Sequence, residues 1–271
     1  MRPIATIFVK QIARVAVPVA LCLIGSCRPR GDSILEEISD RHCPIDSKTT
    51  TIRITNRDGS IRVYGAGGDV REVRVEAVKK AYTPERLKAI SIQISQQQNS
   101  ISIDTLYPAK TGGAFSDRSG TVDYVIVVPD SVRISKLDLG NGEVLIEEVH
   151  SPEAHVQLGS GRLFVHNCFG NFDIAVTTGN LALVYEWWEA RDFSIRAIVD
   201  DGNTFAFLPA EAVFHLIAQT ETGRIANDFE EKEERRTESV TQIDTLVGGA
   251  EKPKIEIETH DGNIRIAEHN P

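Results

Sequence analysis

Aromatic residues are scarce in this chain of 271 residues, at 6%, and methionine occurs once. A core with so few rings must be filled by aliphatic side chains, which suits many short strands. No apolar run reaches the roughly 20 residues that a membrane-spanning helix needs. Val15–Ile24 (VAVPVALCLI) has ten. Positive charge is in deficit, with 30 Lys and Arg against 39 Asp and Glu, a balance of −9. Phosphate backbones repel a chain of that sign, so nucleic acid is excluded as a partner. Catalytic signatures are missing too. There is no G-x-S-x-G, no Walker loop and no dinucleotide fingerprint. Gly65–Asp69 (GAGGD) lacks a following helical pattern and reads as a turn. His150, His155 and His166 lack the close spacing that sets two ligands on one face. Neither a metal nor another cofactor is expected, and no enzyme.

Cysteine is rare, at four residues. The first two belong to a separate N-terminal object. Residues 1–26 carry Arg2, Lys10 and Arg14, no acid, and the ten-residue apolar stretch, the anatomy of a signal peptide. The stretch ends in Leu23-Ile24-Gly25-Ser26-Cys27, which resembles a bacterial lipobox. That resemblance implies that Cys22 leaves with the signal and that Cys27 is acylated. Removing three of 30 bases leaves 27 against 39 acids, or −12. A body so acidic does not adhere to anionic lipid, so the acyl chain would hold it to the membrane. Arg28 follows the lipid site without an Asp retention signal. The expected location is the cell envelope, at the outer membrane or periplasmic face of a Gram-negative cell. Cys43 and Cys168 remain, in an oxidising compartment where a disulfide between them would persist.

What the sequence has in abundance is glycine, at 20 residues, set between alternating aliphatics. The phrase IRITNRDGSIRV at 52–63 returns as IEIETHDGNIRI at 255–266. Looser copies lie between them. Their glycines are Gly59, Gly142, Gly161, Gly179, Gly202, Gly223 and Gly262, and from Gly142 to Gly223 the steps are 19, 18, 23 and 21. Period-two apolar residues on either side of each glycine mark half-buried strands. A unit of about 20 residues cannot bury its own apolar face, but stacked units continue one sheet and one interior column. The expected fold is all-β, a β-solenoid or parallel β-helix with coils of about 20 residues. Each glycine would be a corner with positive φ. Val144 and Ile146, Leu163 and Val165, Leu181 and Leu183, Phe205 and Phe207, Ile264 and Ile266 are the expected inward rows. The two Asp-Gly phrases would be corners of the first and last coils. An antiparallel β-sandwich stays open as the alternative, because Asp-Gly and Asn-Gly are also hairpin turns.

Three regions break the rhythm. Residues 27–48 read as the lipidated cysteine and a tether, ahead of a solenoid domain over 49–271. Thr83 and Pro84 are placed to cap and start a short helix, and residues 90–106 read as a polar hairpin. Residues 228–253 begin with a charged run, expected as an exposed insertion.

The alternating aliphatics broken by NG, DG or TG, the strand VVPDSV at 127–132 and the closing DGNIRI resemble the bacterial putative-adhesin family over about 49–268. The resemblance implies a secreted or lipidated β-solenoid of unknown function. It carries no functional residues.

Within VYEWWEARD, both tryptophans of the chain adjoin: Tyr185, Glu186, Trp187 and Trp188 form the candidate ligand-binding site. An indole in water is a platform for a sugar ring, while packing against a neighbouring coil is the competing reading. Asp58, Asp201 and Asp261 recur beside corner glycines, which turn preference already explains; stacked, they would be an acidic column able to bind Ca²⁺ or to cleave polysaccharide. The primary expectation is a non-enzymatic, lipid-anchored envelope protein whose surface binds a glycan or other polymer, or an envelope protein. A self-assembling scaffold and a β-helix polysaccharide lyase or glycosidase are the alternatives.

Overall fold

The structure is a computed structural model and describes residues 34–45, 50–68, 70–108, 119–229, 235–236, 241–249 and 251–269. The signal segment 1–26 and Cys27 lie outside the described residues.

In chain order the elements are β1 (Leu35–Pro44), β2 (Thr51–Ala66), β3 (Glu72–Ala81), α1 (Pro84–Ala89), β4 (Ser91–Gln97), β5 (Ser100–Leu106) and β6 (Thr121–Pro129). Then come β7 (Arg133–Glu147), β8 (Ala154–His166), β9 (Asn171–Val184), β10 (Ser194–Asp201), β11 (Thr204–Pro209) and β12 (Phe214–Thr220). The chain closes with β13 (Ile225–Asn227), β14 (Arg235–Arg236), β15 (Thr241–Val247), β16 (Lys254–Asp261) and β17 (Ile264–His269). The protein is all-β, one long, open, mixed sheet that is solenoid-like. The parallel pairing of β7 with β8 and of β8 with β9 overturns the antiparallel sandwich.

Each layer has two arms that meet at a glycine. The first arm runs β4–β5–β2–β7–β8–β9–β10–β16–β12–β15–β14. The second runs β1–β3–β6–β2–β7–β8–β9–β11–β17–β13. Parallel layers fill the middle; antiparallel strands close both arms at the β1 and β4 end and the first arm at the other, where the second arm ends in the short parallel strand β13. Capping of this kind keeps a repeat array soluble.

The corner glycines stack by close approach. A Cβ on Gly161, whose φ is +138°, would lie 1.8 Å from the Gly142 carbonyl oxygen. The contact recurs from Gly142 to Gly59, Gly179 to Gly161, Gly202 to Gly179, Gly262 to Gly202 and Gly223 to Gly262. The order corrects two expectations. The layer of Gly262 is inserted between those of Gly202 and Gly223, so the last phrase of the sequence is not the last layer. β2 is not the first layer either, since β5 and β6 lie beyond it. Gly223 differs from the others, because positive φ is not what selects it. Its hydrogen faces the Gly262 oxygen, where a Cβ would come within 1.7 Å.

Beside the glycines runs an amide ladder. Asn180 Oδ1 accepts the backbone N–H of Asn203 at 3.1 Å, Asn203 Oδ1 accepts that of Asn263 at 3.0 Å, and Asn263 Oδ1 accepts that of Arg224 at 3.1 Å. Donors freed by the corner are thus satisfied from the neighbouring layer.

The inward rows are buried as expected at Val144, Ile146, Leu163, Val165, Leu181, Leu183, Ile264 and Ile266. Phe205 and Phe207 are the exception. Thr204 pairs with Leu181 and Ala206 with Leu183, so the phenylalanines face outward. The glycine column sets the register, and a position two residues after each glycine points inward. A slip of one residue would move every side chain to the other face. Thr204 tolerates burial because its hydroxyl meets that of Thr259 at 3.2 Å.

Two boundaries are also corrected. β1 occupies much of the segment read as a tether, paired with β3 over ten residues. β15 lies within the segment read as an insertion, where Ile243 and Val247 are buried against β12. Cys43 and Cys168 are both buried and free, not bridged. Cys43 lies on β1, opposite Val73 at one end of the stack. The Cys168 thiol turns instead to the carbonyls of His166 and Ile146, at 3.3 and 3.5 Å. The helix and hairpin are present: Thr83 Oγ1 accepts the Arg86 N–H at 3.2 Å, and β4 pairs with β5.

Candidate binding cleft at the return loops

At the end opposite the glycine corners, each layer returns to the next through a loop. The loop after β9 carries the aromatic group. Tyr185 keeps the inward alternation of Leu181 and Leu183 and is 0% exposed. A buried phenol needs a partner, and its hydroxyl donates to the Cys168 carbonyl at 2.7 Å. Burial pushes the Tyr185 hydroxyl well above its usual range, and pushes the Cys168 thiol up to about 12. Neither is an activated nucleophile.

The two tryptophans part company. Trp188 turns inward, with ring centroids 5.4 Å from Phe193, 5.6 Å from Tyr185 and 5.7 Å from Phe214. Trp187 is 40% exposed and leans on Phe169 at 6.3 Å. Glu186 is exposed, and its backbone N–H donates to the Asn167 side chain at 2.8 Å. Exposure and packing are therefore divided between adjacent indoles.

Trp188 is also one wall of an open cleft of about 520 Å³. Ala190, Val213 and Pro253 complete its apolar side, and Arg191, Asp192, Glu211 and Lys252 supply its polar groups. The nearest charged pair, Lys252 Nζ to Asp192 Oδ2, is 3.8 Å apart, and both side chains are largely exposed. Such a contact contributes little and leaves both ends able to bond a ligand. Two cations and two carboxylates beside an indole suit a neutral, hydroxyl-rich molecule better than an ion. Tyr185 lies beneath this cleft, and Glu186 and Trp187 stand outside it. Sequence reading reached Trp188 through the aromatic pair, and Arg191 and Asp192 follow it in the same loop. Nothing in the sequence pointed to Glu211, Val213, Lys252 or Pro253, which arrive from two distant loops.

The three aspartates do not stack into one column. Asp201 lies opposite Asp261, but Asn141, Ser160 and Thr178 separate Asp58 from that pair. The histidines meet carboxylates on the outer surface. His155 lies 2.8 Å from Glu153 and 3.5 Å from Asp173, and His260 lies 3.1 Å from Glu258 and 3.2 Å from Asp200. Among the described residues, no group of three or more ligating side chains could hold a metal ion. No helix among them is long and apolar enough to cross a membrane.

The Toastrack DUF4097 family matches residues 34–267. A putative cell adhesion protein from Clostridium sporogenes is similar in structure, with a TM-score of 0.51 at 14% identity, over 88% of this chain and 100% of that one. A putative adhesin from Bacteroides fragilis aligns over 85% of this chain and 97% of its own, at 11% identity and a TM-score of 0.32, too low to argue from. Among curated relatives, none matches the chain. The match begins before β1 and ends within β17, covering all but the last two residues of the described sheet, and the chain belongs to the Toastrack DUF4097 family.

Proposed function

We propose that this chain is a non-enzymatic, lipid-anchored envelope protein, a β-solenoid with coils of about 20 residues, that binds a glycan polymer at the Trp188 cleft. The cleft carries the reading. An indole offers an apolar face to a pyranose ring. Arg191, Asp192, Glu211 and Lys252 offer donors and acceptors to its hydroxyls. The adhesin-like role fits the C. sporogenes neighbour, a putative cell adhesion protein. The anchor rests on the signal segment and the Cys27 box.

A glycan array probed with the whole chain tests the cleft. Arg191→Ala with Lys252→Ala should weaken a hit at least about tenfold, the loss of one or two ligand hydrogen bonds, at an unchanged melting temperature. An array without hits, or a variant that binds as well as the parent, overturns the site. A pull-down that returns only protein moves the reading to an envelope protein partner. Cys27→Ala should abolish palmitate labelling and release the protein from the membrane. Labelling that persists overturns the anchor.

A further inference from the structure

The two ends of the stack are capped unequally. At one end the outermost strands are β14, of two residues, and β13, of three. β15 behind them is longer, and among the described residues β14 covers only its first two positions, Thr241 and Gln242. At the other end stands β1, ten residues long and paired with β3 without a bulge. Among the described residues, no strand pairs with its second edge. It carries no proline before Pro44, and its residues from Glu36 to His42 are exposed on both faces. Ile38, 67% exposed, lies in the middle.

An edge this regular is normally blunted by charge, and β1 carries Glu36, Glu37, Asp40, Arg41 and His42. Those charges are complementary to themselves. In an antiparallel pair, opposite residues are both hydrogen-bonded or both not, so a symmetric pair is centred on a residue. Four centres keep most of the strand in register, and centring on Arg41 sets that guanidinium against its own copy. Centring on Ile38 sets Glu36 against Asp40, and centring on Asp40 sets that carboxylate against its own copy. Centring on Ser39 sets Glu37 against Arg41 and Glu36 against His42, each twice, with no like charges opposed. The same register puts Ile38 of one copy diagonal to Ile38 of the other, within side-chain reach. Glu37 already meets Lys79 on β3 at 2.8 Å, so Arg41 of the second copy would extend a row of alternating sign.

We propose that two copies of this chain pair edge to edge through β1, antiparallel and centred on Ser39, and so continue the second-arm sheet across a two-fold axis. The occupant is a second copy because charge selects one register and that register is symmetric. β4 stands at the same end but is uncharged and selects no register. The contact is isologous and occupies the β1 edge of both copies, so association through it closes at a dimer.

The test uses the full chain, extracted in mild detergent. Ser39→Cys should give a disulfide-linked species of twice the mass under mild oxidation, since the two-fold axis brings that position against itself. Glu37→Arg and Arg41→Glu should each raise the dimer dissociation constant at least about tenfold, and the double variant should recover to within about threefold of the parent. Because Glu37→Arg also loses its bond to Lys79, Ile38→Glu gives a separate reading. This solvent-exposed change should weaken the dimer by opposing Asp40 of the second copy, with the melting temperature of the monomer unchanged. Failure of Ser39→Cys to cross-link, or charge variants that weaken the dimer without rescue in the pair, overturns the proposal.

Discussion

Gly262 is seated on Gly202: a Cβ added to Gly262 would fall 1.6 Å from the Gly202 carbonyl oxygen. No side chain fits that gap, and the contact repeats down the corner column. Backbone closeness, more than turn conformation, is what seven layers of this sheet demand of glycine.

Gly161→Val should therefore cost about 3 kcal/mol or more. Strain at positive φ accounts for about 1–3 kcal/mol, and the Gly142 oxygen must also be pushed away. Gly67→Ala is the control. Gly67 is exposed and its Cβ would meet nothing within 4 Å, so a change within about 0.5 kcal/mol is expected. Thermal melts of both variants decide it, and equal melting temperatures would remove the corner argument.

Tyr185→Phe keeps the ring and deletes the hydroxyl that donates to the Cys168 carbonyl. An acceptor left unsatisfied in a buried site costs about 1–3 kcal/mol. Urea unfolding should show that loss at an unchanged m-value. No loss would mean that water reaches the Cys168 carbonyl.

Acrylamide quenching of tryptophan fluorescence should resolve two populations. Trp187 is 40% exposed, whereas Trp188 packs on Phe193 and Phe214. Trp187→Phe should leave the weaker quenching of Trp188, which is half-buried and open on the side that lines the cleft. Quenching as strong as the parent's would place Trp188 in open solvent, and none at all would close the cleft to a ligand.

Stability should decline as pH rises through the range just above about 6.5, the ordinary histidine value. His155 is raised by its hydrogen bond to Glu153, then that to Asp173, and by their charges. For His260, burial opposes the charge, but the bond to Glu258 and the fields of Glu221, Glu258 and Asp200 outweigh it. A raised folded value stabilises fully below the unfolded value and is lost as pH climbs through the folded one. Both rings are largely solvated, so the slope is small. Melting temperatures across this range, compared with His155→Gln and His260→Gln, would show it. A stability that increases over the same interval contradicts the assignment.

Sequence pattern and structure part where a residue obeys a distant neighbour instead of its own pattern. Phe205 and Phe207 are the most apolar residues after Gly202, yet the column turns Thr204 and Ala206 inward. β1 has no apolar alternation to read, because β3 supplies its ladder and solvent covers both faces. Cys43 and Cys168 were a fair pair on compartment alone, but each is buried at its own place in the fold.

By itself the sequence determined the repeat, the corners and the inward rows, since period-two aliphatics and recurring glycines are local consequences of pleat and turn geometry. It also set the Thr83 cap and the polar hairpin after it, which are short-range in the same way. The order of the layers was decided only by the tertiary structure. Parallel strands pair without regard to chain order, so β16 and β17 could enter between layers written earlier. The cleft was decided there too. Trp188, Glu211 and Lys252 come from three return loops, and no spacing along a chain records which loops a stack will bring side by side.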